Sequence, residues 1–393
     1  MKKLDLSYIV FLFLLLFPFI DFFTGIATWE GWPSIGLFLK GLLLLYAVIF
    51  LIKKKYREKL FWFIFSLAVL FGIGYLVVHH TSLFSEISNL IKIFYFPIFL
   101  LFCKEYENPY INGKYLTIVC FIYLVLYLLP YIFGLGHNIS EVYPNKDLYL
   151  SYFYIGNELA NVFIILVPIA FSYLLFQKKS VLVFFLLLVV FMLALLGTKA
   201  MYISIFLFIL YSLMLYRKKI GVFLKKHFVK ILFPFVLGVL LICIFLPRSS
   251  LIQNIATTLE YYNIDSVVDM FSFERIDQVV FSNRLTFLSN VNQEYVGSSP
   301  VEKFLGLGRV GLLEIKDVEI DFFDIFYSIG IVGMLVYLAV FWYAIYGSKL
   351  KGISLFVFCL LIVISFFSGH VLLSPMVSTY LALLVNVSKN EEF

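Results

Sequence analysis

Long apolar runs, separated by short polar stretches that carry most of the charge, repeat along the whole chain. Mostly apolar segments of about 17 to 23 residues match the helix length that crosses a hydrocarbon core of ~30 Å. They predict twelve helices, at 7–24, 34–52, 60–79, 86–103, 114–134, 157–176, 180–196, 200–216, 228–247, 322–346, 351–368 and 371–388. The run from Ser180 to Tyr216 decides the count. Its 37 residues include one charged side chain, Lys199, and as a single helix it would be roughly 55 Å long. Gly197, Thr198 and Lys199 interrupt it near the midpoint, so it reads as two spans joined by a tight turn.

Lysine and arginine set the orientation, because short cytoplasmic loops retain positive charge. With the N-terminus inside, 20 of the 30 basic residues fall on cytoplasmic segments or their edges, chiefly "KKKYREK" and "RKKIGVFLKKHFVK", and eight fall outside. The break at Gly197 keeps "QKK" and "RKK" on the same, inner face. The expected fold is an all-α polytopic membrane protein with both termini cytoplasmic. It divides into nine helices over 1–247, one large and partly helical external loop over 248–321, and three helices with a short cytoplasmic tail over 322–393.

Composition agrees with that class and narrows the function. With 63% hydrophobic and 14% charged residues over 393 positions, the chain has more apolar surface than a soluble domain can bury. "MKKLDLSYIVFLFLLLFPFI" lacks a prompt small-x-small cleavage site and reads as a retained first helix. The four cysteines show no CxxC spacing and read as packing residues. No nucleotide-binding glycine loop or zinc spacing occurs, so neither metal nor cofactor is expected. The net charge of +6 reflects membrane orientation and implies no nucleic-acid partner.

Candidate chemistry lies towards the outer face. Between Arg248 and Asp324 six basic residues stand against twelve acidic ones, so the cations need local explanations. "RIDQVVFSNRLTFLSNVNQEYV" predicts one helix with Ile276, Val280, Phe287, Val291 and Tyr295 on a single stripe; Arg284 shares that stripe and Arg275 points away. Two readings fit Arg284, an ion pair with a loop acid or a phosphate ligand matched to its planar donor fork. Asp317, Asp321 and Asp324 are spaced to share one face where the tenth helix begins, as dipole-favoured caps or as a general base. Asp21, Lys40, Glu86, Lys92, Glu158 and Lys199 all fall towards the outer ends of spans. Snorkelling accounts for Lys40 and Lys92, and the bias of the others points to a polar cavity near the outer surface. Asn157, Glu158 and Asn161 open the sixth span at helical spacing, and His370 lies between the last two spans.

These pieces resemble the O-antigen ligase and Wzy-type polysaccharide polymerase superfamily. The matching motifs run in order: "GTKA" at a tight outer turn, "SNRLTFL" in the large outer loop, "FLGLG", and then an acidic segment ending "SIGIVG". They cover about Ser180 to Gly333 by motif, and the whole chain by span count and loop layout. The family's turn often carries arginine where Lys199 stands, and its ligases have a histidine eleven residues before the first glycine of the last motif, where this chain has Glu319. That departure shifts the expectation from ligase to polymerase, and the Phe-, Ile- and Lys-rich composition with short loops looks like a capsular or exopolysaccharide polymerase of a Gram-positive type. The resemblance implies a GT-C-like glycosyltransferase that joins oligosaccharide repeat units carried on undecaprenyl pyrophosphate at the outer face of the bacterial cytoplasmic membrane, without a metal. Lys199 and Arg284 would hold the pyrophosphate, and Asp321, Glu319 or Glu158 would be the base. Asp324, Asn157, Arg309 and His370 are secondary candidates. Expected partners are the lipid-linked oligosaccharides, membrane lipids, and flippase and chain-length regulator proteins. Transfer of finished glycan to another acceptor, and a flippase or transporter, remain the rival classes; a transporter calls for polar residues near the midplane and comparable halves.

The orientation is open to direct measurement. A cysteine at Ser299 should react with an impermeant thiol reagent added outside the cell and one at Lys219 should not; the reverse pattern would invert the topology.

Overall fold

The computed structural model describes residues 6–33, 35–54, 83–141, 149–196, 198–215, 250–261, 272–308, 318–367 and 369–390. Helices occupy ten of the twelve predicted spans, and the other two, 60–79 and 228–247, lie outside the described residues. The first is a bent pair, α1 (Leu6–Leu15) and α2 (Phe17–Trp29). Then come α3 (Ile35–Lys54), α4 (Leu83–Glu105), α5 (Gly113–Ile132), α6 (Gly156–Leu174), α7 (Lys179–Leu196) and α8 (Lys199–Leu215). In the loop region lie α9 (Ser250–Tyr261), α10 (Arg284–Gly297) and α11 (Pro300–Leu305). The chain closes with α12 (Asp321–Ile345), α13 (Gly352–Ser365) and α14 (Pro375–Asn390). By length and composition six of the described helices can cross a membrane, or seven if the bent pair counts as one span.

The first span differs from the straight helix expected over 7–24. Pro18, in the first turn of α2, lacks the N–H that a continuous helix needs, and the chain bends there by 40° before running on to Trp29. The break in 180–216 is present as expected: α7 ends at Leu196, α8 starts at Lys199, and the Tyr202 hydroxyl donates to the Leu193 carbonyl at 3.0 Å. In one continuous helix those residues would be roughly 13 Å apart along the axis.

Burial separates helices that face lipid from those that face protein. α7, the most apolar candidate span, is only 22% buried, whereas α6 is 78% buried. α14 is buried from Met376 to Ser388 on every side, packed on α4, α6 and α13. Its polar groups are therefore paired inside the bundle: Ser378 donates to the Val371 and Leu372 carbonyls at 3.0 Å, Thr379 bonds the Tyr95 hydroxyl at 2.8 Å, and Asn386 donates to the Cys103 carbonyl at 3.1 Å.

The two ends of the bundle carry different chemistry. At one end, lysines donate to carbonyls at or just beyond helix C-termini: Lys54 to Glu105, Lys104 to Tyr343 at 2.7 Å and to Tyr346, and Lys389 to Lys104. The opposite end holds the start of α12, the turn into α8 and the loop before α14. A small hairpin pairs His137–Asn138 with Tyr149–Ser151 beside the last turn of α2, where His137 stacks on Trp29 at 4.3 Å. His137 and the Asn138 amide hold Glu141 below the usual carboxylate range.

Lys40 does not snorkel. It is buried and paired with Asp21, whose second oxygen accepts the Tyr123 hydroxyl, so three helices share one charge cluster. A lysine on the inner side of α3 finds a carboxylate closer than water, and the pair with its hydroxyl replaces hydration. Lys40→Met, which leaves Asp21 buried without its cation, should cost about 3–5 kcal/mol. The double variant Asp21→Leu/Lys40→Met should recover most of that loss. Thermal unfolding of the purified protein in detergent measures both; no recovery in the double variant would mean that packing rather than charge pairing holds the three helices.

Candidate active site

α12 begins with two acids, which the helix dipole favours, and both are bound to backbone. Asp324 Oδ1 accepts the Val318 N–H at 2.8 Å. Asp321, 1% exposed, accepts three: the N–H of His370 at 2.9 Å on Oδ1, and those of Val371 and Leu372 at 2.8 Å on Oδ2. The loop before α14 is thus wrapped on one carboxylate, as backbone amides wrap an anion in a nest. Gly369 continues the join by donating to the Glu319 carbonyl at 2.6 Å; a Cβ on Gly369 would lie 2.7 Å from that oxygen. Glu319 and His370 both take left-handed backbone, at φ 61° and 67°. Asn161, buried in α6, donates to the His370 carbonyl at 3.3 Å and ties a third element to the loop.

Arg284 reaches this place by a route the sequence pattern did not show. The expected continuous helix over 275–296 is broken. A helical turn at Phe273–Ile276 passes into a wider turn over Asp277–Phe281, and then Ser282 and Asn283 adopt left-handed backbone at φ 56° and 66°. A new helix, α10, starts at Arg284. Asp277 makes the restart possible: its carboxylate accepts the amides of Leu285 and Thr286 at 2.9 Å and the Thr286 hydroxyl at 2.7 Å, a cap supplied from seven residues upstream. The break shifts the phase of the apolar stripe, so Val279 is buried and Val280 is exposed, while Arg284, Val291 and Tyr295 share the buried face of α10. Serine and asparagine are among the residues that tolerate such turns, and an acid upstream of a Ser-Asn pair is the signal that marks the break.

Arg284 is 8% exposed and donates from Nη2 to Glu319 Oε2 at 3.2 Å. Its Nε is buried without a partner among the described residues. Lys199, half-buried at the start of α8, donates to the Val279 carbonyl inside the segment that leads into α10. Arg275 bonds Gln278 at 2.9 Å within its own turn.

The glycine motifs bring α10 and α12 together. Leu307 donates to the Tyr327 carbonyl at 2.8 Å, and a Cβ on Gly306 would fall 2.1 Å from the Ser328 carbonyl oxygen. Gly330, at φ 65° inside α12, opens the helix to admit that strand-like approach. Val291, Tyr295, Leu307, Val318, Ile320 and Tyr327 then close into one apolar cluster, which places Arg284 beside Glu319.

A family model described as "O-antigen ligase like membrane protein" matches residues 5–271 and 268–388. The chain belongs to that family. No curated protein and no solved structure matches it. Members of the O-antigen ligase and Wzy-type polymerase superfamily are membrane proteins of glycan transfer, so family membership points to a glycosyl transfer of ligase or polymerase type.

In this O-antigen ligase-like protein Arg284 bonds Glu319, the Glu319 carbonyl and the Asp321 carboxylate bind the loop that carries Gly369 and His370, Asp324 holds Val318, and Lys199 reaches the Val279 carbonyl five residues before Arg284, all at the end opposite the lysine cluster. Asn157 and Glu158 stand half-buried in the first turn of α6, on the helix that sends Asn161 to His370. Arg309 and Asp317 lie outside the described residues. Asp277 was not singled out from the sequence, although the placing of Arg284 rests on it. Asp321→Ala would strand the N–H groups of His370, Val371 and Leu372, each costing about 1–3 kcal/mol where buried, whereas among the described residues Asp324→Ala would strand the Val318 N–H. The first variant should lose folded protein or fall well below the second in thermal stability. Equal stability of the two would remove the anchoring role of Asp321.

Proposed function

We propose that the protein is a polymerase that joins undecaprenyl-pyrophosphate-linked oligosaccharide repeat units at the outer face of the bacterial cytoplasmic membrane, in capsule or exopolysaccharide synthesis. In this reading the chain has twelve spans in a GT-C-like arrangement, and the lysine-rich end with both termini is cytoplasmic. The observation that carries the reading is Arg284: a buried guanidinium whose Nε has no partner among the described residues, facing a half-exposed carboxylate at the end opposite the lysine cluster. Desolvated cations of this kind suit a pyrophosphate, whose polyprenyl tail stays in the bilayer.

The chemistry needs little more. Pyrophosphate is a good leaving group once its developing negative charge is neutralised, and Arg284 with Lys199 supplies two positive charges for that purpose. A base must take the proton of the attacking sugar hydroxyl. Asp321 is poorly suited, because both its oxygens are occupied by backbone amides. Among the described residues no hydrogen bond or ion pair joins Glu158 to Arg284, whose bond goes to Glu319. Glu319, beside Arg284 and 38% exposed at its side chain, is the carboxylate that fits.

A deletion strain should accumulate single repeat units on undecaprenyl pyrophosphate at the outer face, with little long polymer. Long lipid-linked polymer would instead identify a ligase, and units trapped at the cytoplasmic face a flippase. In complementation, Arg284→Ala should lower polymer formation on the order of 100- to 1,000-fold while Arg275→Ala stays near wild type, and Lys199→Gln should fail where Lys199→Arg retains activity. Equal effects of the two arginine variants at equal membrane abundance would overturn the site.

A further inference from the structure

Resting on the pyrophosphate reading above, we infer that the Glu319 carboxylate holds the donor phosphate's place on Arg284, and that donor binding displaces it and frees it to act as the base. Glu319 cannot serve Arg284 as counter-ion and at the same time present an unpaired oxygen of full basicity to a sugar hydroxyl. A buried guanidinium without an anion is costly, so the empty site needs a substitute charge.

The geometry is that of a substitute rather than a permanent partner. The contact is a single bond, Nη2 to Oε2 at 3.2 Å, where a guanidinium and a carboxylate can form two parallel ones. The Arg284 Nε is buried with no partner among the described residues, leaving donor capacity for a larger anion. The two members also differ in access: the Arg284 side chain is 9% exposed and that of Glu319 is 38% exposed, so the acid is the one with room to leave.

The backbone around Glu319 fixes what can move. Val318 is held by Asp324, and the Glu319 carbonyl by Gly369, which sits on the loop that Asp321 wraps. The residue itself is pinned in left-handed backbone at φ 61°. Only the side chain is left to swing, and a carboxylate turned off Arg284 stays within a side-chain length of the pyrophosphate that replaced it. In the transfer step, the Glu319 oxygen takes the proton of the acceptor hydroxyl as that oxygen bonds to the anomeric carbon of the donor sugar. The bond from that carbon to the phosphate oxygen breaks, its electron pair leaves with undecaprenyl pyrophosphate, and Lys199 and Arg284 receive the charge. Without donor the base remains paired, so the hydroxyl of water or of a lone acceptor meets a neutralised carboxylate.

The test separates donor binding from turnover, with undecaprenyl pyrophosphate as the probe and the full-length protein in lipid nanodiscs. Glu319→Gln removes the competing charge and should bind the probe more tightly than wild type, by about tenfold if the pair occupies Arg284 some nine-tenths of the time. Polymer formation by the same variant should fall on the order of 100-fold. Glu319→Asn, neutral, shorter and at ease in left-handed backbone, should behave alike and guards against a folding defect of the glutamine variant. Probe binding equal to or weaker than wild type in both variants overturns the exchange, and unchanged turnover overturns the release of the base. If wild type itself fails to bind the probe, or Arg284→Gln binds it as well as wild type does, the pyrophosphate reading falls rather than the exchange alone.

Discussion

Three backbone N–H groups, of His370, Val371 and Leu372, converge on the buried carboxylate of Asp321. The loop that carries them lies between α13 and α14, away from the regular bonding of either helix, and burial denies it water. Unsatisfied amides there would cost more than the loop's own contacts return, so the loop's shape depends on that one side chain. Asp321 also opens α12, so the same bond network sets the junction between the large loop and the last helices. From this junction Gly369 reaches Glu319, Glu319 reaches Arg284, and Asn161 reaches His370. The site is therefore held by backbone atoms bonded to a few acids and amides, and its charged side chains stand on a frame that does not itself need to react.

Among the described residues the buried charges of the bundle each meet a partner. Lysines at one end meet helix C-terminal carbonyls, the Asp21–Lys40–Tyr123 cluster lies inside three helices, and the cations of the candidate site meet a carbonyl and a carboxylate. In a hydrocarbon medium each alternative, an unpaired charge against lipid, is expensive. Helices with no such duties, α7 among them, present apolar side chains outward and bury little. The contrast with α14, buried on every side and carrying paired serines, threonine and asparagine, shows that position in the bundle rather than order in the chain decides a helix's polarity.

Much of this architecture is legible in the sequence. Ten predicted spans coincide with helices, and the break near Lys199 stands where Gly197, Thr198 and Lys199 interrupt the apolar run. The motif residues Lys199, Arg284 and Glu319 and the glycines of "FLGLG" and "SIGIVG" do meet at one end. Other readings failed for a common reason. Lys40 was expected to snorkel and Arg284 to sit midway along one helix, yet a carboxylate on α2 and another at Asp277 redirected them. In both cases the partner lies in another segment or beyond a turn, where the pattern of the residue's own segment does not reach.

The sequence by itself determined the membrane class, the spans and the family motifs, because hydropathy and turn chemistry are sums over neighbouring residues. Only the tertiary structure decided which acid is an anchor and which is exposed. Asp321 and Glu319 are two positions apart and chemically alike, but Asp321 meets amides 49 to 51 residues further along the chain while Glu319 turns to an arginine 35 residues back. No local rule separates them. The difference is set by long-range hydrogen bonds, which exist only once α12, α10 and the loop before α14 have closed on one another.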